Sequence, residues 1–213
     1  MGEPDGATAV MAEEREERLE TEQARRILSA MRRSIGRRGV VGSTFDHVTR
    51  EAGVARGAVF YYFGTKERLV LELVRADAEL RVETLRRALE PADSASAVLA
   101  ALAGVYESFV ADPCAHALIY EMAASAPRND EVQRALAELY SRWRETLAEL
   151  LAEKHSEGVI ELRAEADGCA AALTALGEGL AMQRVADPGW ESAAALLSAT
   201  GAARVILGSP PSS

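Results

Sequence analysis

The chain has 213 residues, 48% hydrophobic and 27% charged, enough for a sizeable core in one helical domain or in a small module joined to a larger body. No apolar run is long and uncharged enough to span a bilayer, and the N-terminus is acidic rather than a basic start ahead of an apolar stretch, so a cytoplasmic protein with no membrane partner is expected. The net charge of -9 argues against a nucleic-acid partner as a single number, but its distribution does not: residues 21–75 carry eleven Arg or Lys against five acids, a local +6 that leaves -15 for the remainder.

Residues 1–18 are acidic, with early Gly and Pro and no apolar stripe, and read as a mobile tail. Helical periodicity begins near Thr21, a candidate N-cap, and places Ala24, Ile27, Leu28, Met31 and Ile35 on one face; Gly36 and Gly39 are expected to stop it. Thr44 is placed to cap a second helix with Phe45, Val48 and Ala52 inward. Gly53 suits the left-handed turn that follows, Val54 can plug it, and Val59 and Phe63 anchor a short third helix. Thr65 caps a long fourth helix with Leu69, Leu73, Ala76 and Leu80 on its stripe, running to Pro91. Apolar-periodic segments follow near 94–111, 114–125, 130–155, 165–186 and 190–207, punctuated by Asp112-Pro113, Pro127 and Asp187-Pro188-Gly189. No segment shows period-two alternation over strand length. The spacing predicts an all-α chain of about nine helices. Cys114 and Cys169 lie outside any Cys-x-x-Cys pattern and read as small buried hydrophobes.

Two short helices joined by a Gly-centred turn, the second opening on Arg56 and carrying a run of aromatics ahead of Lys66, suit the placement of a helix end in a DNA major groove. The pattern Thr-x-x-x-Val-x-x-x-Ala-Gly-Val-x-x-Gly-x-Val-Phe-x-Tyr-Phe-x-x-Lys-Glu-x-Leu, from Thr44 to Leu69, resembles the DNA-binding domain of the TetR family of bacterial transcriptional regulators. The resemblance implies an N-terminal three-helix helix-turn-helix domain at 19–66 and a C-terminal helical effector-binding and dimerisation domain at 67–208, with a short tail at 209–213. It implies that Thr44 offers its hydroxyl to a phosphate, and that Arg56, Gly57 and Ala58 form the leading turn facing base edges, where Arg56 can donate two hydrogen bonds to a guanine. Tyr61, Tyr62 and Lys66 are then phosphate and sugar contacts. Phe60 stands where the family usually has a tyrosine, which leaves packing or a thymine methyl for it. Ala55 replaces the usual Ser or Thr cap of the recognition helix, a loss of about 1 kcal/mol, and Thr49 stands where alanine is common. Tyr61 and Tyr62, being adjacent on a helix, cannot both face the core.

The same resemblance implies a homodimer, joined through the last two helices, that reads a palindrome of double-stranded DNA and releases it when a small-molecule effector tilts the fourth helix. Small residues there, Ala172, Gly179, Ala194 and Ala202, allow close approach of a partner or fit an ordinary core. Within the body Tyr106, Phe109, His116, Tyr120, Met122 and Trp143 are candidates to line an apolar effector pocket with polar tips, each also open to a plain core role. No cofactor is implied. A small all-helical enzyme and a protein-binding adaptor are the competing classes. The first lacks His-Glu-x-x-His, Gly-x-Ser-x-Gly, a phosphate-cradling loop and clustered metal ligands, its histidines being scattered at 47, 116 and 155. The second predicts no salt-dependent binding of DNA.

Overall fold

The computed structural model describes residues 21–208, so the expected tails at 1–18 and 209–213 lie outside the described residues. Within that span there are nine α-helices and no strand: α1 (Glu22–Gly42), α2 (Phe45–Ala52), α3 (Arg56–Phe63), α4 (Lys66–Leu89), α5 (Ala95–Val110), α6 (Pro113–Ser125), α7 (Asp130–Ser156), α8 (Ala166–Ala186) and α9 (Ala193–Ile206), with one 3-10 turn at Ala126–Arg128. The chain forms two compact units, one ending at Val74 and one beginning at Arg75, the division falling within α4.

The first unit follows from its caps and apolar spacing. Thr21 starts α1 by accepting from the Ala24 amide at 3.2 Å, and Ala24, Ile27, Ala30, Met31 and Ile35 line its buried side. Contrary to the expected stop at Gly36, the helix continues to Gly42 and breaks its regular backbone only at Gly39 (φ 70°, ψ 175°). One helical glycine costs only about 1 kcal/mol against alanine, less than the packing of the flanking turns returns. The carbonyl freed at Gly39 accepts from the Ser43 hydroxyl at 2.8 Å. Thr44 then caps α2 through the His47 amide at 3.3 Å, with Val48 and Ala52 buried. Arg33 and Arg37 of α1 both hold the Glu51 carboxylate of α2. Thr65 caps α4 through the Arg68 amide at 3.2 Å.

Along α4, Leu69 and Leu73 are buried as the stripe predicts, but Leu80 is 54% exposed. Beyond Val74 the buried residues become Ala78, Leu85 and Leu89, spaced seven and four apart, and at about 100° per residue Leu80 lies opposite them. In the second unit, α7 packs on α6 and α8, and α5 packs on α6, α8 and α9. Its apolar centre joins Leu85, Leu89, Val98, Leu99, Leu147, Leu150, Leu151, Ile160 and Leu207, with Cys169 buried among them. Ser94, Asp112 and Asn129 cap α5, α6 and α7, Pro113 occupying the first turn of α6, where its missing amide costs nothing. Among the described residues no single helix is long and apolar enough to cross a membrane.

Burial pushes the Glu51 carboxyl up, but the hydrogen bonds and charges of Arg37 and Arg33 outweigh it and hold the group below its usual 4.5. A depressed folded value stabilises the fold above the unfolded value and ceases to do so as pH falls through the folded one. Glu51→Gln is therefore expected to lower stability by about 1 kcal/mol at pH 7, with the difference from the parent shrinking below pH 4.5. Urea unfolding at pH 7 and at pH 3.5 measures this; a difference independent of pH would remove the ion pair from the account.

Candidate nucleic-acid interface

Gly53 closes α2 in the left-handed conformation (φ 63°, ψ 38°), its amide and that of Val54 both directed at the Thr49 carbonyl. Three residues later α3 has begun. Val59 and Phe63, four apart, are buried, which leaves Arg56, Gly57, Phe60 and Tyr61 on the outward side, with Tyr61 65% exposed and Phe60 47%. A short helix that anchors two residues and presents two large aromatics to solvent has a face available for a partner.

Arg56 is held rather than free. Its Nη1 donates to Asp46 Oδ1 of α2 at 2.8 Å, and its guanidinium lies 5.6 Å from the Phe60 ring centroid. Phe60 in turn meets Phe45 edge-on at 4.9 Å. A Cβ on Gly57 would touch nothing within 4 Å, so the space above the first turn of α3 is open. Ala58 and Tyr62 are half-buried, the Tyr62 hydroxyl reaching Gln23 Oε1 at 3.3 Å. Thr44 is exposed beside its capping bond, and Lys66 Nζ donates to the Val41 carbonyl at 3.1 Å. Thr44, Arg56, Gly57, Phe60 and Tyr61 thus share solvent access, whereas Ala58, Tyr62 and Lys66 are partly covered. The clamp of Arg56 by Asp46 was not legible in the sequence, since ten residues and a turn separate the pair. Arg26 has a structural task as well: its Nη2 donates to the Ala52 carbonyl at 2.7 Å.

In the second unit the aromatic candidates divide. Phe109 and His116 meet edge-on at 5.0 Å, and His116 and Tyr120 are near parallel at 6.0 Å. Burial raises the Tyr120 and Tyr106 phenols, with Glu178 adding to it at Tyr120 and Arg184 opposing it at Tyr106, and the Tyr106 ring packs beside Gly177 of α8. Met122 is buried, while Trp143 packs against the apolar centre and donates its indole N–H to Thr174 Oγ1 at 3.1 Å. Two charged residues outside the sequence candidates stand near the cluster: Arg81, whose guanidinium is 4.4 Å from the Phe109 centroid, and Glu178, which is paired with Tyr140. Asp77 four residues before Arg81, and a lone carboxylate between Gly177 and Gly179 on an apolar helix, were the available signals. Burial lowers the His116 imidazole, and Arg81 and Arg184 push it the same way against Asp112. Burial raises Glu178, opposed by Tyr140, Arg81 and Arg144; burial and Glu178 together raise Tyr140 well above the usual phenol range. Among the described residues no group of His, Cys, Asp or Glu is arranged to hold a metal ion.

The family model described as bacterial regulatory proteins, tetR family, matches residues 27–73, the whole of the helix-turn-helix and its flanks; that of the BetI-type transcriptional repressor, C-terminal, matches 112–204. The chain belongs to the TetR family. It is 33% identical over 131 residues to the HTH-type transcriptional regulator BetI of Agrobacterium fabrum, a match covering 58% of this chain and 60% of that one. Against the HTH-type transcriptional repressor AcnR of Corynebacterium efficiens it is 41% identical over 59 residues, 28% of this chain and 31% of the relative. The chain therefore spans less than two thirds of these TetR-family relatives. The fold is similar to that of reduced NemR from E. coli, with a TM-score of 0.75 at 17% identity, covering 89% of this chain and all of that one.

Ala55 supplies no side-chain hydrogen bond at the start of α3, as a methyl must. Ala55→Ser is expected to restore one and to raise stability by about 1 kcal/mol, read as a rise in Tm of about 2–4 °C by circular dichroism. A lower Tm would show that the hydroxyl is misplaced at this helix start.

Proposed function

We propose that this TetR-family chain is a transcriptional regulator that binds a palindromic DNA operator as a homodimer and is released from it by a small-molecule effector. The observation that carries the reading is the outward side of α3, where Arg56, Gly57, Phe60 and Tyr61 are exposed around an unobstructed first turn while Val59 and Phe63 fix the helix from behind. In this reading the first turn of α3 enters the major groove. Arg56 exchanges Asp46 for a guanine edge, Gly57 and Ala58 allow close approach, Phe60 packs on a thymine methyl, and Tyr61 meets sugar and phosphate. Thr44, Tyr62 and Lys66 hold the backbone on either side. Repression is the mode that the names of the relatives suggest.

Two heads are needed because one short helix reads too few base pairs for useful specificity, whereas a twofold pair spans half-sites about 34–36 Å apart. The last two helices supply a surface for pairing. No residue of α9 is buried, Leu197 and Val205 are 76% and 68% exposed, and Met182 and Val185 of α8 are exposed as well. An apolar face of this kind is costly to leave in water and is what a dimer covers. An adaptor that binds only protein would leave the basic stretch at 21–75 without a purpose.

Selection of bound fragments from random duplexes by purified protein is expected to recover a palindrome, with affinity falling steeply as salt rises. Arg56→Ala is expected to relax preference at one base pair of each half-site by about 1–3 kcal/mol. Lys66→Ala should instead weaken all duplexes alike. Failure to retain any duplex at low salt would sink the reading. For the dimer, Leu197→Asp combined with Val205→Asp is expected to shift the sedimentation coefficient from dimer to monomer and to weaken palindrome binding more than tenfold; a double variant that stays dimeric would place the interface elsewhere.

A further inference from the structure

Four buried polar atoms in the second unit make no hydrogen bond among the described residues, Arg81 Nη2, Tyr106 Oη, His116 Nε2 and Tyr120 Oη, although the Tyr106 hydroxyl has the Arg184 guanidinium near it. Arg81 lies over Phe109, Phe109 meets His116, and His116 faces Tyr120, while Tyr106 stands on α5 three positions before Phe109 and so on the same side of that helix. A buried donor or acceptor left unmade destabilises the fold, and native proteins seldom tolerate several in one place without a purpose. Arg81 is anchored through its Nε, which donates to Asp77 Oδ2 at 2.6 Å, and Nη2 is the donor left idle.

We propose that this cluster binds a small planar aromatic carboxylate, with the carboxylate accepting from Arg81 Nη2 and the ring lying among Phe109, His116 and Tyr120. The proposal rests on the ligand-responsive reading above and names the chemistry of that ligand. An idle guanidinium N–H asks for an acceptor, and a charged acceptor is served best. The tyrosine hydroxyls and His116 Nε2, on an imidazole that burial pushes toward its neutral form, can each turn a donor toward the second carboxylate oxygen. A flat ring matches the edge-on and parallel arrangement of the three aromatics, which are only half-buried and so approachable along their flanks. The rival occupant of an aromatic cluster is a quaternary ammonium. Here the ring it would need at Phe109 already carries the Arg81 guanidinium, so a second cation would be brought against the first. Glu178, the carboxylate that would attract such a cation, is itself driven toward its neutral form by burial.

The test is calorimetric titration of the full chain, without DNA, with benzoate, 4-hydroxybenzoate and indole-3-acetate, against 4-hydroxybenzamide and tetramethylammonium. At least one carboxylate is expected to bind, 4-hydroxybenzoate at least tenfold more tightly than its amide, and tetramethylammonium to give no heat. Arg81→Gln should abolish the preference for carboxylate over amide. Because that change also removes the Arg81 bond to buried Asp77, Tyr120→Phe is measured beside it. Deleting an idle hydroxyl should raise the Tm of the ligand-free protein while weakening carboxylate binding about threefold to tenfold, a pairing that a purely structural tyrosine does not give. Tighter binding of tetramethylammonium, no binding of any carboxylate, or a Tyr120→Phe protein that loses Tm and keeps its affinity would each overturn the proposal. A mobility shift separates the two readings. Retention of duplex by the ligand-free chain with no carboxylate bound defeats the ligand assignment alone, whereas a carboxylate that binds without loosening duplex defeats the effector role and leaves the assignment standing.

Discussion

The direction in which α3 faces depends on Gly53. At φ 63° and ψ 38° this residue turns the chain out of α2, a conformation that costs about 1–2 kcal/mol for a residue with a side chain. Crowding adds to that, since a Cβ there would lie 3.3 Å from Arg26 Nη2, the same nitrogen that donates to the Ala52 carbonyl one residue earlier. Arg26 thus supplies a hydrogen bond and a positive charge where the carbonyls of α2 run out, the end of a helix that favours a cation. Val48, Val59 and Phe63 are buried behind the turn and fix the rotation of α3 about its own axis. Rotating α3 by one residue would exchange an anchor for a solvent-facing aromatic, so the identity of the outward residues follows from the turn and two buried side chains.

The arginines of the first unit fall into two classes with different costs of rearrangement. Arg33 and Arg37 converge on Glu51, whose side chain is 17% exposed, and Arg26 is engaged by a backbone carbonyl. Breaking these bonds would strip a partly buried carboxylate or a helix end of its partner. Arg56 and Asp46 are 61% and 63% exposed, a setting in which an ion pair contributes about 0–1 kcal/mol. The pair orients Arg56 over Phe60 in the free protein at little thermodynamic cost to a later exchange. A local charge of +6 is therefore not a uniform field: part of it is structural cement, and the part at the head of α3 is available.

Most of this architecture was legible in the sequence because its signals are local. Thr21, Thr44 and Thr65 cap as their positions suggest, Asp112-Pro113 and Asn129 open helices, and each predicted segment corresponds to one helix. Gly36 misled because composition does not reveal whether a glycine leaves the helical region; Gly39 does and Gly36 does not. The mismatch at Leu80 arose because a periodic stripe fixes which residues share a side, but not where along a long helix the buried side changes. The least legible feature was the company a side chain keeps across helices. Asp46 with Arg56, and Arg81 with Phe109, are separated by 10 and 28 positions that no period connects.

The second unit shows two ways of burying polarity. Where a polar group serves the fold it is fully partnered: Lys154, 5% exposed, donates to the Glu90 carbonyl and to Glu157, and the Trp143 indole donates to Thr174. Arg81 on α4, Tyr106 on α5, and His116 and Tyr120 on α6 are instead each left with an idle atom, at a cost of about 1–3 kcal/mol apiece. Phenylalanine at either tyrosine would fill nearly the same volume without that penalty. Stability alone therefore does not account for the hydroxyls, and a ligand that satisfies them recovers on binding what the folded chain forgoes without it. In the first unit the idle atoms among the described residues, Ser34 Oγ and His47 Nδ1, are not linked by any chain of ring contacts such as joins Arg81 to Tyr120, which is the pattern of isolated packing compromises. Convergence, more than the number of unmade bonds, distinguishes a prepared site from an imperfect core.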